Sequence, residues 1–113
     1  MTQVTRFSQL SAPRQVLVRL LQSVHFGYVE GLEVRGGEPM FSPAPAVFAE
    51  VKLDAPSEPW PGTFFADFEL RTELTRLIEQ LDLLGDGSID RIDVQYGVPL
   101  RAVIERPFAV VRR

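Results

Sequence analysis

Apolar positions in the first third of the chain recur at helical spacing and then switch to strand spacing. Val16, Leu17, Leu20, Leu21 and Val24 fall on one stripe of a 3.6-residue helix. Ser11 is placed to cap that helix, and Pro13 in its first turn needs no amide partner. Gly27 lets the chain leave it. Tyr28 to Arg35 reads as a strand, Gly36-Gly37 as a tight hairpin turn, and Glu38 to Phe41 as the returning strand. Pro39 has no N–H to give a ladder, which assigns that strand to an edge or a bulge.

The pattern then comes a second time. Asp67 is the expected N-cap of a helix whose stripe is Leu70, Leu74, Leu77, Ile78, Leu81 and Leu84, and Gly85 closes it. Ser88 to Gln95 is a strand, Tyr96-Gly97 a turn, and Val98 to Glu105 a return. Gly27 to Met40 aligns with Gly87 to Leu100 at a constant offset of sixty (87 − 27). The two helical stripes align at fifty-seven, Leu17 on Leu74 and Val24 on Leu81 (74 − 17), which predicts three residues gained near Leu83-Leu84-Gly85. Two units are too few for a solenoid, so the expectation is a duplicated helix–hairpin closing on itself with pseudo-twofold symmetry.

Between the units, Ala46 to Leu53 alternates and predicts a half-buried strand: Val47, Ala49, Val51 and Leu53 on one face, Phe48, Glu50 and Lys52 on the other. Proline-rich joints flank it at 42–45 and 54–62. The fold class is therefore α+β, with two helices packed on an antiparallel sheet of about five strands. One domain spans 1–113, with unit one at 11–42, the linking strand and Pro-rich loop at 43–66, unit two at 67–106 and a tail at 107–113. The predicted core is Leu17, Leu20, Leu21, Val24, Leu32, Val34, Leu74, Leu77, Ile78, Leu81, Ile92 and Val94.

Composition agrees with one globular domain: 113 residues, 45% hydrophobic and 24% charged. Net charge is −3 with acids and bases interspersed, which weighs against a nucleic-acid partner, although Arg101, Arg106, Arg112 and Arg113 make the C-terminal end locally basic. Lys52 is the only lysine, which reads as codon bias. There is no cysteine, which removes disulfides, thiolate catalysis and Cys-based zinc sites. No apolar run approaches the ~18 residues of a membrane span, and the N-terminus reads as no signal peptide, so the expected location is cytoplasmic with no membrane partner.

The segment from Asp82 to Asp93 resembles an EF-hand calcium loop, with Asp82, Asp86, Asp90 and Asp93 at ligand positions and Gly87 at the sharp turn. Leu84 stands where an oxygen ligand belongs, Asp93 replaces the longer Glu, and the residues that follow read as strand rather than exit helix. His25 is the only histidine and sits where the first helix ends, so it reads as a cap rather than as a base served by Ser23 and Glu30. Glu30, Glu33, Asp90 and Asp93 occupy equivalent strand positions and read as a solvated face. Gly85-Asp86-Gly87 opens onto a strand, so no phosphate-binding loop is formed. Trp60, bracketed by prolines and followed by Phe64 and Phe65, is either a staple over the core or a preordered aromatic anchor. Phe108 in the apolar tail is a second candidate anchor.

The stretch Phe26-Gly27-Tyr28-Val29-Glu30 through Gly37, preceded by an amphipathic helix, resembles the small bacterial YezD-like proteins, whose pattern is a helix, an aromatic–glycine pair and a hairpin with a glycine turn. The likeness covers about a third of the chain and implies a piece of fold and no catalytic residue. Taken together, the expectation is a non-enzymatic interaction or adaptor module of a bacterial cytoplasm. It would bind another protein or itself as a homodimer through Trp60, Phe64, Phe65 and Phe108, and would need no cofactor. The alternative is a regulator that binds a small ligand or cation through the Asp82–Asp93 carboxylates.

Overall fold

The computed structural model describes residues 4–56 and 67–105. Two helices, α1 (Ala12–Val24) and α2 (Thr72–Leu84), lie against one antiparallel sheet. Its strands are β1 (Gly27–Arg35), β2 (Glu38–Met40), β3 (Ala46–Ala49), β4 (Gly87–Gln95) and β5 (Val98–Ile104). They run in the order β2-β1-β4-β5, with β3 beside β2 on the same edge of β1. The α+β architecture and the element order are those read from the sequence.

The spacing of corresponding elements is sixty residues for the helices as well as the strands: α2 begins sixty after α1 (72 − 12) and ends sixty after it (84 − 24). The expected gain of three residues near Leu83 does not occur. A shift of three is close to one helical turn, so it carries one apolar stripe nearly onto itself and sequence matching misses it. The β1–β4 pairing has the symmetry of a twofold axis. Gly27 pairs with Val94 and Val34 with Gly87, and Val29 pairs with Ile92 and Leu32 with Ile89. Each pair thus recurs with the units exchanged.

Both hairpin turns use two consecutive left-handed residues, Gly36 and Gly37 at φ 57° and 76°, and Tyr96 and Gly97 at 55° and 73°. That is the turn whose twist matches the flanking strands. Gly27 is required by proximity, because a Cβ there would sit 1.9 Å from the Phe48 carbonyl oxygen of β3. In both central strands the inward alternation slips by one residue, so Val29 and Leu32, and likewise Ile89 and Ile92, are all buried. Pro39 and Pro99 stand in edge strands, where a missing N–H costs no ladder bond.

The core is one cluster between helices and sheet, with Leu21, Leu32, Leu81, Ile89 and Ile92 fully enclosed. Every predicted core residue is buried except Leu20, which is partly so. Val16 points to solvent and Val18 takes its place. Phe7 and Leu10 join the core from the N-terminal segment, and Leu70 joins it from just before α2. Asp67 does not cap α2, whose N-cap is Arg71 without a side-chain bond. Instead the 67–70 segment pairs with the N-terminus: Phe7 N–H donates to the Phe68 carbonyl at 2.9 Å and Leu70 N–H to the Thr5 carbonyl at 2.7 Å. Asp67 accepts from Ser8 N–H and from Arg6 Nε, each at 2.9 Å. These contacts hold its carboxyl down at a pKa of about 2, with the Arg6 bond the largest cause. The linking strand is shorter than expected. β3 covers only Ala46–Ala49, is exposed on both faces, and leaves Val51 and Leu53 in solvent. It lies at the sheet edge, paired only with β1 among the described strands.

Candidate interaction surface

Strand register, rather than any local motif, assembles the most organised group of polar and aromatic side chains. The helices cover one sheet face, so the residues between the buried positions form the other. On that open face Phe48 of β3 stands opposite Tyr28 of β1, Tyr28 opposite Asp93 of β4, and Asp93 opposite Arg101 of β5. This is one continuous row across four strands. Phe48 and Tyr28 stack with centroids 4.7 Å apart and ring planes 20° from parallel. Arg91, two residues before Asp93 and therefore on the same face, lays its guanidinium carbon 4.0 Å from the Tyr28 ring centre. Its Nε donates to Asp93 Oδ1 at 2.8 Å, and Arg101 Nε donates to Asp93 Oδ2 at 3.1 Å.

Each joint of this row contributes little by itself at a wet surface. Its significance is geometric. The row fixes two aromatic rings and two guanidinium groups on a rigid sheet, with Phe48 42% and the Arg101 side chain 77% exposed at its ends. The Arg91 hydrogen bond is the chief cause of a lowered Asp93 pKa, with Arg101 adding to it against partial burial. The same bond raises the pKa of Arg91. In the next row Glu30 stands opposite Arg91 and Arg91 opposite Val103.

The residues singled out from sequence fall elsewhere. Trp60, Phe64, Phe65 and Phe108 lie outside the described residues, as do Arg106, Arg112 and Arg113. The four carboxylates of the calcium-loop reading are not brought together. Asp82, in the last turn of α2, forms an ion pair with Arg14 at 2.5 Å, and Asp86 accepts from Gly36 N–H at 2.7 Å. Asp90 is exposed in β4, and Asp93 belongs to the row above. Among the described residues no group of three or more His, Asp or Glu side chains is placed to hold a metal ion. His25 takes the C-cap position of α1, edge-on to Phe26 and Tyr96 at 4.6 and 5.9 Å. The Ser23 hydroxyl donates to the Leu20 carbonyl at 2.7 Å, and Glu30 is on the open sheet face. His25, Ser23 and Glu30 thus form no catalytic trio. An open groove of about 590 Å³ between α2 and β5, lined by Glu73, Arg76, Leu100 and Arg101 among others, lacks the enclosed apolar walls of a small-molecule site.

Tyr28, Phe48 and Arg91 were not expected from the sequence. The available signal was Arg91-Ile92-Asp93, a base and an acid two apart on a strand and so on one face. Their aromatic partners come from strands whose register is fixed only by folding. No described helix is long and apolar enough to cross a membrane. Comparison with protein-family models, with curated proteins and with solved structures found no match.

Proposed function

We propose that the chain is a duplicated helix–hairpin unit serving as a non-enzymatic protein-interaction module of a bacterial cytoplasm, with the open sheet face as its contact surface. The observation that carries this reading is the Phe48–Tyr28–Arg91–Asp93–Arg101 row. Aromatic and arginine side chains dominate interface energetics, and here they are held in place before any partner arrives. The constant sixty-residue offset and the reciprocal β1–β4 register support the duplication. The likeness to YezD-like proteins adds a helix and a glycine-turn hairpin, and no activity.

The test is quantitative capture from source-organism lysate with the tagged full-length chain, a Phe48→Ala/Arg91→Ala double variant, and Glu79→Ala on α2 as control. A stoichiometric partner held by the wild type and control, and lost from the double variant, supports the open face. Capture that ignores the double variant refutes it, and Trp60→Ala run alongside then tells whether the aromatic loop is the anchor instead.

A further inference from the structure

The two edges of the sheet are unequal. One is broken into a three-residue β2 and a four-residue β3, separated by Phe41 to Pro45 with prolines at 43 and 45. Prolines and short strands are how natural sheets discourage edge pairing. The other edge is the seven-residue β5, which among the described residues pairs only with β4. Its one proline, Pro99, and the extra residue Leu100 beside it lie toward the turn, leaving Arg101 to Ile104 as the regular stretch of the edge.

The free stretch of β5 is self-complementary. In a two-residue hairpin the residues flanking the turn exchange both backbone bonds, and the direction then alternates along the strand. Along β4, Gln95, Asp93 and Arg91 are thereby directed at β5; a register shift between Val94 and Asp93 takes up Leu100 as an extra residue in β5, so their partners Val98, Arg101 and Val103 are directed back at β4. The N–H and C=O groups of Ala102 and Ile104 are left pointing away from the sheet. On the open face the same stretch presents Arg101, Val103 and, continuing the alternation, Glu105, all exposed.

We propose that two copies of this chain join antiparallel along β5, with Val103 of each copy at the twofold axis. Centred there, Ala102 of one copy meets Ile104 of the other in hydrogen-bonded pairs, and Arg101 faces Glu105 of the second copy twice. The five-stranded sheets become one continuous ten-stranded sheet. This edge is distinct from the Phe48 end of the open face, so the second copy is an addition to the partner proposed above. A contact made of one strand pair is small, which places the dimer in the weak class, with a dissociation constant in roughly the micromolar range.

The test is sedimentation equilibrium of the full chain over a concentration series. Wild type is expected to pass from monomer to dimer. Glu105→Arg sets Arg101 against a like charge and should weaken the dimer about tenfold or more. Adding Arg101→Glu to that variant restores opposite charges across the axis and should recover part of the loss even though it gives up the Arg101–Asp93 ion pair within each chain, a rescue that a merely destabilised monomer does not show. The Phe48→Ala/Arg91→Ala variant should still dimerise, which separates failure here from failure of the open-face reading. A wild type that stays monomeric to millimolar concentration overturns the proposal, as does a dimer indifferent to both charge changes.

Discussion

The two ends of the molecule where the units meet share one backbone and differ in nearly every side chain. At one end Gly37 N–H donates to the Gly85 carbonyl at 2.8 Å, and at the other Gly97 N–H donates to the His25 carbonyl at 2.9 Å. Each acceptor ends a helix at positive φ, 67° with ψ −83° and 65° with ψ −69°. Around the first contact gather ions: Arg14 between Asp82 and Glu38, with Asp86 on the Gly36 amide. Around the second gather rings, Phe26 against Tyr96 at 4.7 Å and His25 edge-on to both. The difference shows which layer is constrained. Turn geometry and buried apolar positions match at the two ends, and the side chains that finish each end do not. Tyr96 even takes a left-handed φ that its counterpart Gly36 meets without strain.

The sharpest break in that equivalence is expected at Gly27 and Gly87. An alanine Cβ at Gly27 meets backbone, the Phe48 carbonyl oxygen at 1.9 Å, whereas at Gly87 it meets the flexible Leu84 side chain at 2.9 Å. Urea unfolding should show Gly27→Ala costing about 4 kcal/mol and Gly87→Ala about 1–2 kcal/mol. Equal losses would mean that β3 yields freely. Leu21 and Leu81 test the opposite case, because they are equivalent and both fully buried. Leu21→Ala and Leu81→Ala should each cost about 3 kcal/mol, and a clear inequality would show that the two helices are not held alike.

Arg14 stands where unit two has Leu74, and its side chain is 15% exposed. Arg14→Leu makes the ionic end resemble its counterpart while Asp82, 63% exposed, stays solvated. Its unfolding free energy should fall by about 1–2 kcal/mol, since Glu38 and the Gly37 carbonyl lose their Arg14 contacts while the gained apolar packing offsets part of the loss. The smallest effect should be in acid. The folded-state pKa of Asp67 lies near 2, below its ordinary 3.8. Its stabilisation is therefore present above pH 4 and is lost as pH falls toward 2. Asp67→Asn should flatten the acid unfolding curve in that window, leaving the fall contributed by Asp93, whose pKa is also lowered.

Both helices, both hairpins and their turns were legible because each rests on local chemistry: stripes at helical spacing, Ser11 as a cap, and Gly36-Gly37 and Tyr96-Gly97 as turns. The parts that were not legible depend on distant partners. Phe7 and Leu10 become core only because residues 67–70 return beside them. Asp67 looked like a cap because acids often precede helices, and it serves another segment. The alternation of Val47 to Leu53 suggested burial, yet its strand lies at the sheet edge, paired only with β1 among the described strands. The row on the open face was the least visible, since Phe48, Tyr28, Asp93 and Arg101 are neighbours only through three separate strand pairings.

The reciprocal β1–β4 register also sets how the chain reaches this state. Each helix and hairpin closes over a few residues, and hairpins of this kind form in about 1–10 μs. The central pairing joins residues 53 to 67 apart in sequence (87 − 34 and 94 − 27). Closing a loop of that length costs roughly 4 kcal/mol of chain entropy before any contact repays it. The kinetic barrier therefore falls at the meeting of the two units, an event confined to one molecule. Refolding of the monomer should accordingly run at a rate independent of protein concentration, and should slow when the β1–β4 seam is weakened rather than either outer strand.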